Sequence, residues 1–257
     1  MRSHALPFLF GLLAGALGGL MGVGGGILLV PLLVRALGVG QHEAQGTSLA
    51  FVTVTAVVAA VPYFRQGNLD LTLACFLALG AVPGVLAGAA LARKLTARRL
   101  RQAFGILMVA TAIRILIQAP TPEGAAHVWS MPGNVLLGAF VGISAGLLGV
   151  GGGTILVPIL VLLQSVPQHL AQGVSLLMIL PTGIVGAWSH ARHGHVIRTL
   201  LPGLMAGGAV GAFLGALLAH RIESQTLSRM FALFLLLVSA QMIFGRGRDT
   251  VPDSAEP

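Results

Sequence analysis

Apolar residues fill most of this chain in long runs that short polar stretches separate. A helix of about 20 apolar residues matches the thickness of a bilayer core, so each run predicts a membrane segment. The runs predict eight segments, at about 6–37, 46–64, 70–92, 100–118, 133–164, 173–190, 197–219 and 227–244. The pattern therefore predicts an all-α integral membrane protein.

The first and fifth segments are unusual because each is interrupted by the sequence GVGGG, at 22–26 and 149–153. About thirty residues of unbroken helix would measure about 45 Å, well beyond a bilayer core of about 30 Å. Glycine is also a poor helix former. Both segments are therefore predicted to break at GVGGG, and at membrane depth a break is tolerated only inside protein or beside a cavity.

The chain contains an internal repeat, in which one gapless register pairs position 11 with position 138 and continues from there. Residues 11–34 match 138–161 at 14 of 24 positions, and 41–49 match 168–176 at 7 of 9. One register over most of each half indicates a duplication, so the fold class is two tandem repeats of four hydrophobic segments. The predicted units are the repeats 6–118 and 133–245, a linker 119–132 and a disordered tail 246–257.

Composition supports the membrane assignment. Hydrophobic residues make up 56% of the chain and charged residues only 9%, whereas soluble domains carry about 25% charged residues. So few charges cannot cover a water-facing surface, and the lipid bilayer is the predicted partner. The net charge of +8 does not predict nucleic-acid binding, because the 15 Lys and Arg lie in short gaps between apolar runs, where such residues set topology.

Two membrane topologies are compatible with these segments. If both broken segments cross the bilayer, there are eight spans, the halves are parallel, and Lys and Arg divide 7 against 8 between the two sides. If both are re-entrant, six full spans remain, the halves are inverted, and the division is 11 against 4. The positive-inside rule favours the second arrangement, with both termini cytoplasmic. The sequence leaves both open.

The paired GVGGG segments, each followed by Val-Pro and then by QG-x-S-L, resemble the sulfite exporter TauE/SafE family of membrane transporters. The resemblance extends from about Gly11 to Phe244. It implies export or uptake of sulfur-containing or organic anions such as sulfite, sulfoacetate and related sulfonates. It also implies four plus four spans in the cell (inner) membrane.

The glycine stretches are the first candidate substrate site. A glycine stretch that opens a helix presents backbone N–H groups and the positive end of the helix dipole to an anion, as broken helices do in other transporters. The candidate residues are Gly22, Gly24, Gly25, Gly26, Gly149, Gly151, Gly152 and Gly153. The alternative is that the glycines only permit close helix packing. That alternative is favoured for Gly11, Gly15, Gly19, Gly138, Gly142 and Gly146.

A second layer of candidates opens the second helix of each half: Gln45, Thr47, Ser48, Gln172 and Ser175. Their hydroxyl and amide donors suit an anion such as sulfite. The alternative is N-capping of those helices. His42 and His169 also occupy equivalent positions, but they flank the helix and are expected at the membrane interface.

Two further patterns are expected to carry no chemistry. His190, Arg192, His193 and His195 end the sixth segment, where a solvated loop is favoured over a metal site. Residues 142–146 read GISAG, the nucleophile pattern of serine hydrolases, but Ser144 lies in an apolar helix with no nearby acid. We therefore predict no enzyme activity, no metal and no cofactor.

Function follows from what the segments contain and lack. The chain has no GxxxxGK[ST] nucleotide motif, and its seven acidic residues lie in loops, at segment edges or in the tail. The sequence predicts a secondary transporter or facilitator of small anions, exporting sulfite, sulfonates or related organic anions. The alternatives are a channel-like anion pathway and a membrane scaffold subunit that moves nothing.

Overall fold

A computed structural model describes residues 5–92, 97–117 and 129–244. The predicted tail and most of the predicted linker lie outside these residues. The described elements are all helices: α1 (Ala5–Met21), α2 (Gly26–Ala36), α3 (Gln41–Arg65), α4 (Leu71–Ala92), α5 (Ala97–Ile117), α6 (Met131–Leu148), α7 (Gly153–Leu163), α8 (Gln168–Arg192), α9 (Leu201–Ala219) and α10 (Ser224–Phe244). The all-α prediction is confirmed.

Within the described residues, five helices are long and apolar enough to cross a membrane: Gln41–Arg65, Leu71–Leu91, Met131–Leu148, Gln168–Arg192 and Leu201–Ala219. Shorter apolar helices accompany them, including α1, α2 and α7. The helices α2, α3 and α5 begin and end at positions that the register of the repeat pairs with the ends of α7, α8 and α10. These lengths support a multi-pass membrane protein, whereas the number of crossings stays a prediction.

The second predicted segment of each half starts earlier than expected. Helix α3 begins at Gln41 and α8 at Gln168, five residues before the predicted starts at 46 and 173. The N-cap residue of α3 is Gly40, whose amide donates to Glu43 Oε2 at 3.2 Å, and that of α8 is Pro167. The N-capping interpretation of the second layer is therefore wrong, because those side chains lie one to two turns inside their helices.

Each half packs its first helix against the other half. Helix α1 packs on α9, and α6 packs on α4. A methyl group added to Gly11, Gly15 or Gly19 would collide with the main chain of α9, and one added to Gly138 or Gly142 with that of α4. The packing interpretation of these glycines is confirmed, since the helices touch backbone to backbone there.

Helices α3 and α8 pack on each other and run antiparallel. The start of α3 meets the end of α8, where Gly46 lies beside His190. The end of α3 meets the start of α8, where the Tyr63 hydroxyl donates to Gln172 Oε1 at 2.9 Å. Because α3 and α8 occupy equivalent places in the repeat, the two halves have opposite directions.

The glycine stretches reverse the chain. Gly25 lies beside the carbonyl oxygen of Ala14, eleven residues earlier, and Gly152 lies beside Val141, also eleven residues earlier. In a straight helix such residues would be about 16 Å apart. Each stretch is therefore a turn that folds a short helix, α2 or α7, back along the longer helix before it.

Candidate functional site

The two glycine breaks have the same backbone conformation. Their φ angles are 67°, 73° and 83° at Gly22, Gly24 and Gly25, and 70°, 81° and 83° at Gly149, Gly151 and Gly152. These values lie in the left-handed region, where a residue with a Cβ costs about 1–2 kcal/mol more than glycine. The repeated GVGGG sequence therefore encodes one turn, used twice.

The two breaks contact each other in the middle of the protein. A methyl group on Gly26 would lie 3.2 Å from Val150 Cα, and one on Gly153 would lie 2.9 Å from Val23 Cα. Both valines are buried. Gly24 and Gly151 each lie against Val52 and Ile179, which are near the midpoints of α3 and α8. The structure thus brings the two predicted glycine stretches face to face.

The two second-layer glutamines cross between the halves. Gly149 lies against the side chain of Gln45, and Gly22 against that of Gln172. Gln45 Nε2 donates to the carbonyl oxygen of Leu147 at 3.2 Å, and Gln172 Nε2 to that of Leu20 at 3.4 Å. Each glutamine therefore binds the last turn of the other half's first helix.

The two serines lie beside the first turns of the short helices. Ser48 Oγ donates to the Gly26 carbonyl oxygen at 3.3 Å, and Ser175 Oγ lies 2.6 Å from the place of a methyl group on Gly153. Thr47 is elsewhere, since its Oγ1 accepts from the Ile197 amide at 3.0 Å. Four of the five second-layer residues are thus at the breaks, and Thr47 holds the loop between α8 and α9 instead.

Sequence reasoning missed three polar residues near the breaks. Thr55 Oγ1 donates to the Gly24 carbonyl oxygen at 2.7 Å, and the Tyr63 hydroxyl lies 3.2 Å from the Gly19 carbonyl oxygen. Thr154 is fully buried in the first turn of α7. The available signal was hydroxyl groups inside apolar helices, strongest at Thr55 and Thr182, which occupy equivalent positions of the repeat.

The centre of the protein carries no full charges. Among the side chains that the structure describes, no Lys, Arg, Asp or Glu is buried. Ser144, the serine of GISAG, donates to the Phe140 carbonyl oxygen at 2.8 Å within its own helix. The polar groups at the breaks are therefore hydroxyls, amides and the N-terminal ends of two 11-residue helices.

The histidines form groups at the ends of α3 and α8. His42, His190, His193 and His195 line a cavity of about 20 Å³, which has room for about one water molecule. His190 is only 6% exposed, so the solvated-loop interpretation is wrong for that residue. His42 is exposed, and its location at the membrane interface stays a prediction. No group of three or more His, Cys, Asp or Glu within the described ranges is arranged to hold a metal ion.

A second histidine group lies near Tyr63. His169 Nε2 donates to the Ala219 carbonyl oxygen at 3.0 Å, so Nδ1 accepts from Ser224 Oγ at 2.9 Å in the neutral ring. Burial lowers the pKa of His220. The hydrogen bond to the Ala216 carbonyl acts to raise this pKa, and nearby His169 acts to lower it further. The His220 ring lies next to the Tyr63 ring, at 4.5 Å between their centroids.

The chain is similar in sequence to probable membrane transporters and to one family of exporters. The family model described as sulfite exporter TauE/SafE matches residues 6–251. The probable membrane transporter protein YunE of Bacillus subtilis is 27% identical over 94% of this chain and 98% of its own length. A probable membrane transporter protein of Xylella fastidiosa (strain Temecula1) is 31% identical over 88% of this chain and 89% of its own length.

A further relative is the sulfite exporter TauE/SafE family protein 1 of Arabidopsis thaliana, 30% identical over 46% of this chain and 26% of its own length. No solved structure matches the chain. The family model covers nearly every described residue, including both glycine breaks and the helices that hold them. The chain therefore belongs to the TauE/SafE sulfite exporter family, whose members are membrane transporters and not enzymes.

Proposed function

We propose that this protein is a secondary transporter or facilitator that exports small anions, namely sulfite, sulfonates or related organic anions, across the cell (inner) membrane. The observation that carries the proposal is the meeting of the two glycine breaks between α3 and α8. A scaffold subunit needs no such pair of turns. Two matched breaks at the contact between inverted halves are a recurring plan of transporters that alternate access to a central site.

The chemistry of the breaks suits an anion. The first turns of α2 and α7 present N–H groups without intrahelical partners and the positive ends of helix dipoles. Glycine has no side chain to keep an oxyanion from these groups. Ser175 places its hydroxyl beside the first turn of α7, whereas the Ser48 hydroxyl donates to the Gly26 carbonyl oxygen. The absence of buried carboxylates among the described side chains means that no fixed negative charge opposes the anion.

The directions of the helices support the inverted topology. Both breaks would then be re-entrant, and the termini would share one side of the membrane with 11 of the 15 Lys and Arg. The antiparallel packing of α3 on α8 and the reversal of the chain at Gly25 and Gly152 favour this arrangement. Parallel halves would require equivalent helices to run in the same direction.

The test is flux from proteoliposomes that contain the purified protein and radiolabelled sulfite or a labelled small sulfonate. We expect protein-dependent efflux that saturates as the internal concentration rises, whereas protein-free liposomes leak slowly. Efflux that stays proportional to concentration would favour the channel-like pathway. Efflux equal to that of protein-free liposomes, for both anions, would refute transport of this substrate class.

A further inference from the structure

The two breaks share one backbone path but differ in the hydrogen bonding of their buried polar atoms. At the first break, Ser48 Oγ donates to the Gly26 carbonyl oxygen, and Gln172 Oε1 accepts from Tyr63. At the second break, the equivalent atoms are Ser175 Oγ and Gln45 Oε1. Both are buried and have no hydrogen-bond partner among the described residues.

Thr154 adds a third such atom to the second break. It is fully buried in the first turn of α7, and its Oγ1 has no hydrogen-bond partner in the part of the chain that the structure describes. The equivalent residue of α2 is Ile27, which has no polar side-chain atom. Of the two breaks, it is therefore the second whose buried side-chain atoms leave hydrogen-bonding capacity unused.

Buried polar atoms in proteins are nearly always hydrogen-bonded, and the exceptions point to a role such as binding a ligand. Ser175 Oγ and Thr154 Oγ1 are hydroxyls that can donate to an oxyanion. Ser175 Oγ also lies beside Gly153, where α7 presents its N-terminal amides. Gln45 Oε1 can only accept, so it is not a ligand of a bare oxyanion.

The surroundings of Ser175 would strengthen such contacts. The other atoms closest to the place of a methyl group on Gly153 are Val23 Cα at 2.9 Å and Ile179 Cδ1 at 3.0 Å. An apolar, water-poor environment makes hydrogen bonds and dipole contacts to an anion stronger than they are in water.

We infer that the transported oxyanion binds at the second break alone, on the hydroxyls of Ser175 and Thr154 and the first amides of α7. The first break, with Val23 and the internally bonded Ser48, forms the facing wall. The inference rests on the proposed function and narrows it, because the repeat would otherwise suggest two equivalent anion sites. One protein then binds one anion.

The repeat itself supplies matched variants. Ser175→Ala and Ser48→Ala remove the same hydroxyl from equivalent positions. Thr154→Val removes a hydroxyl and keeps the shape of the side chain, whereas Thr154→Ser keeps the hydroxyl. Each variant is purified in detergent and checked by size-exclusion chromatography. Sulfite is then titrated in oxygen-free buffer, and its binding is measured by thermal stabilisation and by calorimetry. Flux is measured in proteoliposomes.

Ser175→Ala and Thr154→Val should each raise the half-saturating sulfite concentration about tenfold or more, since each loses a hydrogen bond to a charged group. Ser48→Ala and Thr154→Ser should change it less than about twofold. Calorimetry should give one site per chain. The inference would be overturned if Ser175→Ala and Ser48→Ala had equal effects or if calorimetry gave two sites per chain. It would also be overturned if Ser175→Ala and Thr154→Val left sulfite binding at the wild-type level.

The two readouts separate the inference from the proposed function. Wild-type protein that binds sulfite through Ser175 but releases none from vesicles would refute transport and leave the binding site standing. If vesicles with Ser175→Ala and vesicles with Ser48→Ala release sulfite equally well, the binding site is refuted and transport stands. Purified wild-type protein that binds neither sulfite nor methanesulfonate would refute the site.

Discussion

The hydroxyl of Tyr63, at the end of α3, donates a hydrogen bond of 2.9 Å to Oε1 of Gln172, near the start of α8. Gln172 in turn lies against Gly22 of the first break. This pair therefore links three elements: the two antiparallel central helices and one of the glycine turns. The equivalent pair in the other half would be His190 and Gln45, and the residue types differ there.

Replacing Tyr63 with Phe should destabilise the protein by about 1–2 kcal/mol, because Gln172 Oε1 stays buried without its donor. The measurement is the free energy of unfolding in mixed micelles. Phe64→Leu is the control, since Phe64 is the next residue and is 70% exposed. Equal stability of Tyr63→Phe and wild type would mean that this bond does not hold the turn.

The glycines of the breaks should differ in their tolerance of alanine. Gly151→Ala should cost only the left-handed conformation, about 1–2 kcal/mol, because the nearest atom would be 3.4 Å from the new methyl group. Gly25→Ala adds a collision with the Ala14 carbonyl oxygen and should prevent folding. Gly38→Ala is the matched control, with φ at 67° and nothing within 4 Å.

The readout for these variants is the yield of monodisperse protein and its unfolding temperature. Gly38→Ala and Gly151→Ala should behave alike. If Gly25→Ala is as stable as Gly38→Ala, then α1 and the first break do not pack as closely as described.

The inverted topology predicts that positions 125 and 257 lie on opposite sides of the membrane. Single cysteines at these positions, in a Cys75→Ser background, would be labelled with an impermeant maleimide in intact cells and in inverted vesicles. We expect only one of the two positions to react in each preparation. Reaction of both in the same preparation would support eight spans with parallel halves.

The driving force for export is predicted to be the membrane potential, because the sequence offers no nucleotide motif and no described carboxylate is buried. A monovalent anion leaving a negative interior gains about 2.3 kcal/mol per 100 mV, roughly a fifty-fold gradient. Potassium–valinomycin potentials at equal pH on both sides should therefore set the rate of efflux. Efflux that ignores the potential and follows a pH gradient would instead indicate proton coupling, with His42, His169 and His190 as the candidates.

Local chemistry explains what could be predicted from the sequence. The breaks at 22–26 and 149–153 were predictable, because glycines at positive φ have few substitutes. The glycine spacing in α1 and α6 likewise indicated close packing. The start of α3 was not predictable from hydropathy, since polar residues such as Gln45 extend the helix into a buried contact with the other half.

Long-range pairing explains what could not be predicted. Thr47 and Ser48 are neighbours in sequence, yet helical rotation sends one to the loop between α8 and α9 and the other to the first break. The burial of His190 depends on α3 lying across the end of α8. The different hydrogen bonding of Ser48 and Ser175 is likewise not revealed by two nearly identical stretches of sequence.

The pairing of α1 with α9 has a consequence for synthesis of the protein. Gly11 meets Leu204, which leaves the ribosome long after it. At about 5–20 residues per second, the interval between them is roughly 10–40 s. For this time the glycine-lined face of α1 has no partner helix, and neither half can finish folding before the other. A chain that stops after its first half would expose that face to lipid and to other nascent chains.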